Sequence, residues 1–252
     1  MLIFTALGMA LVALAHMAPF PFLLEIHPPA EARWHMPAAP PGAPPRIYLT
    51  FDDGPNPATT PDLLDVLARD HVRATFFLID AHVTPETAPI VRRMFDEGHA
   101  VGLHSDTREW MLLPPDEVAA RLARNADRIA QLTGHRPCPI FRPHAGWRGG
   151  ELYQGVAKAG YSLVGWSWMM WDWNWFRTRT PESIVHRALG HAGDGAILVM
   201  HDGDESHPRR DQRQTVEATA RLIPALEARG FAFGTLCGAT SPRTSAPYPP
   251  PA

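Results

Sequence analysis

The chain has 252 residues, of which 45% are hydrophobic and 19% charged, so it can bury the core of one sizeable domain and at most a small appendage. Its 23 basic and 26 acidic side chains give a net charge of −3 with no long run of either sign, which excludes the basic stripe of a nucleic-acid-binding protein and the acidic tail of a disordered tether. Thirteen histidines and eight tryptophans stand out, although neither count identifies a function alone.

The chain starts with an apolar segment. Residues 2–15 carry no charge and suit the centre of a signal peptide, with Ala13-Leu14-Ala15 resembling a cleavage site. Extended to Leu24, the segment reaches the roughly 20 residues that span a membrane. We predict that residues 1–24 are a signal peptide or membrane anchor and that the protein lies in the cell envelope, membrane-anchored or exported. A buried first helix is the alternative.

Proline-rich segments flank the middle of the chain. Prolines are dense from Pro28 to Pro45 and again near the end, and this density favours extended, semi-rigid conformations. We therefore predict a linker at 25–45, one folded domain at 46–237 and a disordered tail at 238–252.

Short apolar strands alternate with helices between residues 46 and 237. The predicted strands are 47–51, 74–79, 100–104, 140–141, 162–166, 196–200 and 231–236. The predicted helices are 61–69, 85–97, 116–132, 151–159, 181–189 and 215–229. This alternation indicates an α/β fold with a parallel sheet, either open or closed into a barrel.

Polar or aromatic side chains stand at the end of five predicted strands. They are Asp52 with Asp53, His104, Arg142, Trp166 and His201. Functional residues of such folds lie at the carboxyl ends of the strands, so this pattern predicts one site at that rim.

Five motifs in the same order resemble the polysaccharide deacetylases with a NodB-type domain, carbohydrate esterase family 4. They are TFDDGP at 50–55, His104-Ser105, FRPHAG at 141–146, Asp172-Trp173 and LVMHD at 198–202. Each motif alone is weak evidence, but all five in order over about 190 residues are specific. The resemblance implies a distorted (β/α) barrel of about seven strands, preceded by the N-terminal hydrophobic segment.

The resemblance also implies a metal-dependent hydrolase that removes N-acetyl or similar small acyl groups from an envelope carbohydrate. A divalent metal, with zinc expected, polarises a carbonyl and lowers the pKa of water. Asp53 and His104 offer carboxylate and imidazole ligands for it. Asp52 is the expected base and His201 the expected acid.

The remaining site residues follow from the same resemblance. Arg142 is expected to orient Asp52 through a charge-assisted hydrogen bond. The backbone N–H of Ala145 is expected to bind the oxyanion, and Trp173 and Asp172 are expected to contact the substrate. The predicted partners are an N-acetylated glycan or a lipid-linked sugar and, through the N-terminal segment, the membrane; no nucleic acid is expected.

Two motifs depart from the family pattern. The second should place a histidine four residues after His104, where this chain has Arg108, which has no lone pair to offer a metal. Asp106, Glu109 and His144 are candidate substitutes, although a solvent-facing loop residue is the preferred interpretation of His144.

The fourth motif has Met169 where the family has an aspartate that tunes the catalytic histidine. Asp202 or Asp172 can compensate for that loss.

Two further features allow more than one interpretation. Cys138 and Cys237 are interpreted as buried thiols in preference to a disulfide, which needs an oxidising compartment. Six large aromatic side chains between Trp166 and Phe176 exceed what one strand end buries, so some are expected to form a sugar-stacking platform or an apolar patch near a membrane.

A catalytically silent carbohydrate-binding protein on the same scaffold is the alternative function, and ester rather than amide hydrolysis is a third. The two departures from the family motifs, Arg108 and Met169, favour the catalytically silent protein. Retention of all five side chains (Asp52, Asp53, His104, Arg142 and His201) favours the enzyme, because a binding module has no need of them.

Overall fold

The structure, a computed structural model, describes Gly8, residues 32–173 and residues 179–237. The predicted signal or anchor segment 1–24, apart from Gly8, and the predicted tail 238–252 lie outside the described residues. Among the residues described, no helix combines the length and apolar character needed to cross a membrane.

Nine short strands form the sheet, and every pairing between them is parallel. They are β1 (Ala32–Arg33), β2 (Arg46–Gly54), β3 (Thr75–Ile79), β4 (Ala100–His104), β5 (Ile140–Arg142), β6 (Ser162–Val164), β7 (Trp168–Met169), β8 (Ile197–His201) and β9 (Ala232–Phe233). The order is β1-β6-β5-β4-β3-β2-β8-β7, and β9 pairs with the start of β2. The chain passes from β6 to β7, near opposite ends of this order, in three residues. The ends of the sheet are therefore close together, and the predicted distorted barrel is confirmed.

Within residues 32–173 and 179–237, six α-helices cover the sheet. They are α1 (Thr60–Arg69), α2 (Ala88–Asp96), α3 (Pro115–Thr133), α4 (Gly150–Lys158), α5 (Pro181–Gly190) and α6 (Arg213–Glu227). Each buries one apolar face; α1, for example, buries Leu63, Leu64 and Leu67. Gly134 ends α3 in the left-handed conformation (φ 80°) that glycine adopts without strain. The predicted helices agree with these bounds to within three residues.

Strand β2 lies inside the sheet and carries the first part of the site. Eight of its nine residues are buried, because parallel strands between other strands are covered on both faces. Its neighbours are β3 and β8. Since all the strands are parallel, their carboxyl ends share one rim, and the polar residues that follow them meet there.

The predicted linker at 25–45 is wrong from residue 32 onward. Strand β1 pairs with β6, Met36 N donates to the carbonyl of Gly195 (2.8 Å), and the Asp194 carboxylate accepts from Ala39 N (2.8 Å). The folded domain therefore begins well before Arg46. The high proline content predicts an extended conformation for this segment, but it does not predict that the segment pairs with the edge of the sheet.

The two cysteines form a disulfide, so the preferred interpretation as free thiols is wrong. Cys138 precedes β5 and Cys237 follows β9, and their Cα atoms are 6.5 Å apart across a sequence separation of 99 residues. Cys138 belongs to a buried cluster of sheet residues that also contains Leu236, and Cys237 packs against that cluster.

Candidate active site

Strand register brings the predicted site residues together in one cleft of about 820 Å³, a volume typical of ligand sites. Asp52 on β2 lies opposite His201 on β8, and His104 on β4 lies opposite Arg142 on β5. All four side chains are buried in the protein.

A bulge at the end of β2 turns two consecutive aspartates into the same cleft. Successive side chains of a regular strand point to opposite faces. Here the pairing with β3 shifts register between Asp52 and Gly54, and Asp53 takes a left-handed backbone conformation (φ 69°). Such bulges re-aim side chains beside functional sites. Asp52 and Asp53 both line the cleft as a result.

Arg142 holds Asp52. Its guanidinium donates to Asp52 Oδ1 (2.7 Å), to Thr50 Oγ1 (2.8 Å) and to the carbonyl of Gly165 (2.7 Å). Burial by itself raises the pKa of Asp52, but the Arg142 charge and the hydrogen bond from His104 outweigh it and lower that pKa to about 2. Asp52 therefore stays ionised throughout the physiological range.

Asp53, His104 and His144 form a group whose potential ligand atoms all lie within 4.8 Å of one another. His104 Nε2 is 3.9 Å from Asp53 Oδ1 and 3.5 Å from Asp52 Oδ2. Burial by itself lowers the pKa of His104, but the two aspartates raise it above its usual value, so this corner of the cleft attracts positive charge.

The donor set of this corner fits a divalent metal. Asp53 Oδ1 and His144 Nδ1 are both buried without a hydrogen-bond partner, and buried polar atoms in this state call for an explanation such as an ion. One carboxylate and two imidazoles are ligands that zinc accepts. His144 is half-buried here, which corrects its interpretation as a solvent-facing loop residue. Asp106 and Glu109 are exposed and do not join the group.

Asp172 supports His201. His201 Nδ1 lies 2.9 Å from Asp172 Oδ1, and Asp172 Oδ2 accepts from the backbone N of His201 (2.6 Å) and from Thr215 Oγ1 (2.8 Å). Burial by itself lowers the pKa of His201, but the Asp172 carboxylate outweighs it and raises that pKa to about 9. Both oxygens of Asp172 accept from protein donors, and the residue also lines the cleft, so its expected contact with the substrate remains a prediction. The carboxylate missing at Met169 has its counterpart in Asp172.

Asp202 does not take part in that pair. Its Oδ2 accepts from Thr60 Oγ1 (2.5 Å), on the side of β2 where Gly54 leaves room for the carboxyl group. Burial raises the pKa of Asp202 to about 7, partly opposed by the Thr60 hydroxyl. Of the two candidates considered for His201, the structure brings only Asp172 to the imidazole.

The four tryptophans of the aromatic segment that the structure describes, Trp166, Trp168, Trp171 and Trp173, all line the cleft, but they differ in their packing. Trp166 is buried, and Trp168 stacks on His191 with ring centroids 3.8 Å apart. Trp171 and Trp173 line the cleft, and Trp173 meets the His201 ring edge-on at 5.4 Å. Trp175 and Phe176, at 174–178, lie outside the described residues. Ala145 also lines the cleft.

Two supporting threonines were not found from the sequence. Thr50 accepts from Arg142, and Thr215, the third residue of α6, donates to Asp172. Thr215 is 43 residues from Asp172 and belongs to no motif, so no local signal pointed to it. Thr50 stands inside the first motif but reads as an ordinary β-strand residue.

Comparison with known proteins agrees with this geometry. Residues 39–164 match the family model described as polysaccharide deacetylase. A peptidoglycan-N-acetylglucosamine deacetylase of Bacillus cereus is 31% identical over 212 residues, covering 84% of this chain and 94% of that protein. A chitooligosaccharide deacetylase of Bradyrhizobium sp. is 37% identical over 201 residues, covering 73% and 86%.

A solved structure is similar over most of the domain. The family 4 acetyl xylan esterase of Clostridium thermocellum, in complex with a cobalt ion, has a TM-score of 0.65 and 33% identity, covering 76% of this chain and 88% of that one. The fold and the rim of ionisable side chains define a carbohydrate-modifying hydrolase of the α/β class. The chain belongs to the polysaccharide deacetylase family, and the two deacetylases named above support its assignment to the enzymes of this family that act on N-acetyl amide bonds.

Proposed function

We propose that this protein removes N-acetyl or similar small acyl groups from an envelope carbohydrate. The observation that carries the proposal is the single cleft that holds an ionised Asp52, the Asp53–His104 corner and a protonated His201. The relatives named for peptidoglycan N-acetylglucosamine and for chitooligosaccharides support an N-acetylated glycan as substrate.

Asp52 acts as the base. Arg142 and Thr50 orient it, and its low pKa keeps it ready to accept a proton from water. A group with a pKa of about 2 is a weak base at neutral pH; Asp53 and His104 would hold a divalent ion, whose Lewis acidity would make water easier to deprotonate.

His201 acts as the acid. Because Nδ1 is engaged by Asp172, Nε2 remains to face the cleft, and the raised pKa keeps the ring protonated at neutral pH. A protonated imidazole beside the scissile bond donates its proton to the leaving amine, which departs poorly as an anion.

The cleft walls bind the substrate. Trp171 and Trp173 present aromatic surface beside His201, and sugar rings pack their apolar faces against such surfaces. The backbone N–H of Ala145, on the opposite loop, is assigned to the acyl oxygen as its charge develops.

Export to the cell envelope is part of the proposal. The Cys138–Cys237 disulfide supports it, because disulfides persist in oxidising compartments and are rare in the cytosol. The apolar residues 2–15 are consistent with a secretion signal.

The test is acetate release from N-acetylglucosamine oligomers by the full chain supplied with Zn²⁺ or Co²⁺. We expect turnover, a loss of about 10²-fold or more in Asp52→Asn and in His201→Gln, and unchanged turnover in Asp116→Asn, an exposed matched control. Oligomer binding without acetate release by the wild type would instead establish the catalytically silent binding protein.

Ester hydrolysis is a second candidate function, favoured by the similarity to the acetyl xylan esterase. The same residues serve both reactions. Acetate release from O-acetylated xylan, compared with that from the N-acetylated oligomers, distinguishes the two by the ratio of kcat/KM.

A further inference from the structure

If only the motif positions supplied ligands, the possible metal site at Asp53 and His104 would have one protein ligand too few. The position that the family fills with a second histidine holds Arg108, an exposed residue at the start of a 3-10 turn (Arg108–Leu112). Arginine stays protonated and cannot coordinate a cation. Asp53 and His104 alone provide two protein ligands, one fewer than the three of typical catalytic zinc sites.

We propose that His144, on the loop after β5, is the third protein ligand of this metal and takes over the role lost at position 108. This inference rests on the metal site of the proposed function and names its ligand set. The ligands would then come from the ends of three strands (β2, β4 and β5) rather than from two.

The distances and burial of the group support His144. Its ring lies edge-on to His104 with centroids 6.2 Å apart, and a ligand atom of each of the three residues falls within 4.8 Å of the others. Ligands about 2.1 Å from a shared zinc ion are about 3 to 3.5 Å apart, so side-chain rotations that close the group by about 1 Å complete the site.

Two unpartnered atoms point independently to a ligand at this place. His144 Nδ1 and Asp53 Oδ1 belong to different strand ends, and each is buried without a hydrogen bond. Leaving a buried polar atom unpaired costs about 1–3 kcal/mol, so two such atoms on residues of the same potential ligand group are best explained by a shared cation.

Ser105 ties the two histidines together. His104 Nδ1 donates to the Ser105 carbonyl (2.6 Å), which leaves the Nε2 lone pair for a metal. The Ser105 hydroxyl accepts from the backbone N of His144 (2.7 Å) and fixes the start of its loop. One residue therefore orients the His104 ring and fixes the backbone from which the His144 side chain projects.

The experiment compares metal binding in the full chain and in variants at positions 144 and 108. The probes are Zn²⁺ affinity, measured by competition with a chelator, and the visible absorption spectrum of the Co²⁺ form, which reports coordination. The variants are His144→Ala, Arg108→Ala as a control, and the double variant His144→Ala/Arg108→His, which restores the family pattern. His144→Asn and circular dichroism check that a loss of metal is not a loss of fold.

We expect His144→Ala and His144→Asn to weaken Zn²⁺ binding roughly 100-fold or more and to change the Co²⁺ spectrum. Arg108→Ala should bind within about threefold of the wild type, and the double variant should recover at least part of the lost affinity. Unchanged affinity and an unchanged Co²⁺ spectrum in folded His144→Ala would overturn the inference.

Failure of this inference is distinguishable from failure of the proposed function. If Asp53→Ala abolishes both metal binding and acetate release while His144→Ala keeps both, the deacetylase stands and His144 is not a ligand. If the wild type binds no metal and releases no acetate, both proposals fail together.

Discussion

Asp172 and His201 are joined by two hydrogen bonds, one to the imidazole and one to the backbone N–H of the same histidine. A carboxylate held in this way fixes both the ring orientation and the tautomer. His201 therefore has a buried carboxylate partner although position 169 is a methionine. Asp172, which orients His201 toward the cleft, is itself fully buried.

Removing the Asp172 charge should shift the alkaline limit of activity. In Asp172→Asn we expect kcat/KM to fall about 10²-fold, and its alkaline limb to move from near pH 9 toward the ordinary histidine range near 6.5. The measurement is a pH profile on N-acetylglucosamine oligomers at saturating metal. Thr215→Val removes one hydrogen bond to Asp172 but keeps the Asp172 charge, so it should shift the alkaline limb less. If the alkaline limb of the kcat/KM profile stays in place in Asp172→Asn, His201 is not an acid whose pKa is raised by Asp172.

The same pair makes a pH-dependent contribution to stability. A pKa raised above that of the unfolded state stabilises the fold fully below pH 6.5 and loses that contribution as the pH rises through about 9. The difference in unfolding free energy between wild type and Asp172→Asn should therefore be largest below pH 6.5 and shrink toward pH 9 and above. Denaturant titrations across this range measure it, and a difference independent of pH would contradict the ion pair.

Arg142→Lys should destabilise the protein, although the charge is conserved. Arg142 is fully buried and spans Asp52, Thr50 and two backbone carbonyls, which a lysine cannot all reach. We expect a loss of about 1–3 kcal/mol at neutral pH from groups left unpaired. Because the pKa of Asp52 is depressed, its share of this loss should persist above pH 4 and disappear as the pH falls toward 2.

Denaturant titrations at pH 7 and at the lowest pH where the chain folds test this. Arg136→Lys, at an exposed ion pair, is the matched control and should change stability by less than about 0.5 kcal/mol. Equal effects of the two variants would show that Arg142 does not hold Asp52.

Reduction of the Cys138–Cys237 bond should lower the free energy of unfolding by about 2–4 kcal/mol, because it releases a 99-residue loop in the unfolded chain. Thermal unfolding with and without dithiothreitol measures the loss. The double variant Cys138→Ser/Cys237→Ser should be as stable as the reduced wild type, and dithiothreitol should not change its thermal unfolding. A wild type that is insensitive to reductant would refute the disulfide.

Gly165→Ala tests whether the segment before Arg46 belongs to the domain. A Cβ at Gly165 would fall 1.5 Å from the ring of Trp34, so the alanine must displace this tryptophan from the barrel. We expect a loss of about 1–3 kcal/mol, as for other overpacked sites. Gly150→Ala, where a Cβ meets nothing within 4 Å, should be within about 1 kcal/mol of wild type. Equal stability of the two variants would mean that Trp34 does not pack there.

The order of strands, helices and motifs could be predicted because it rests on local patterns. Hydrophobic patterning marked the longer strands and helices that the structure describes, and also the two-residue β9. The two-residue strands β1 and β7 were missed, because β1 lies in the proline-rich segment and β7 in the aromatic run, and neither segment shows a strand pattern. Polar residues directly after parallel strands reach one rim whatever the details of packing, so Asp52, His104, Arg142 and His201 could be grouped without a structure.

The sequence by itself determined the family, the barrel and the rim on which the ionisable side chains stand. The tertiary structure decided which partner each of them has: Asp172 and Thr215 for His201, His144 beside Asp53 and His104, Cys237 for Cys138, and the segment around Trp34 on the edge of the sheet. Periodicity and motifs extend over a few neighbouring residues. Hydrogen bonds, disulfides and metal ligands join positions tens of residues apart, and their pairing depends on strand register and loop direction.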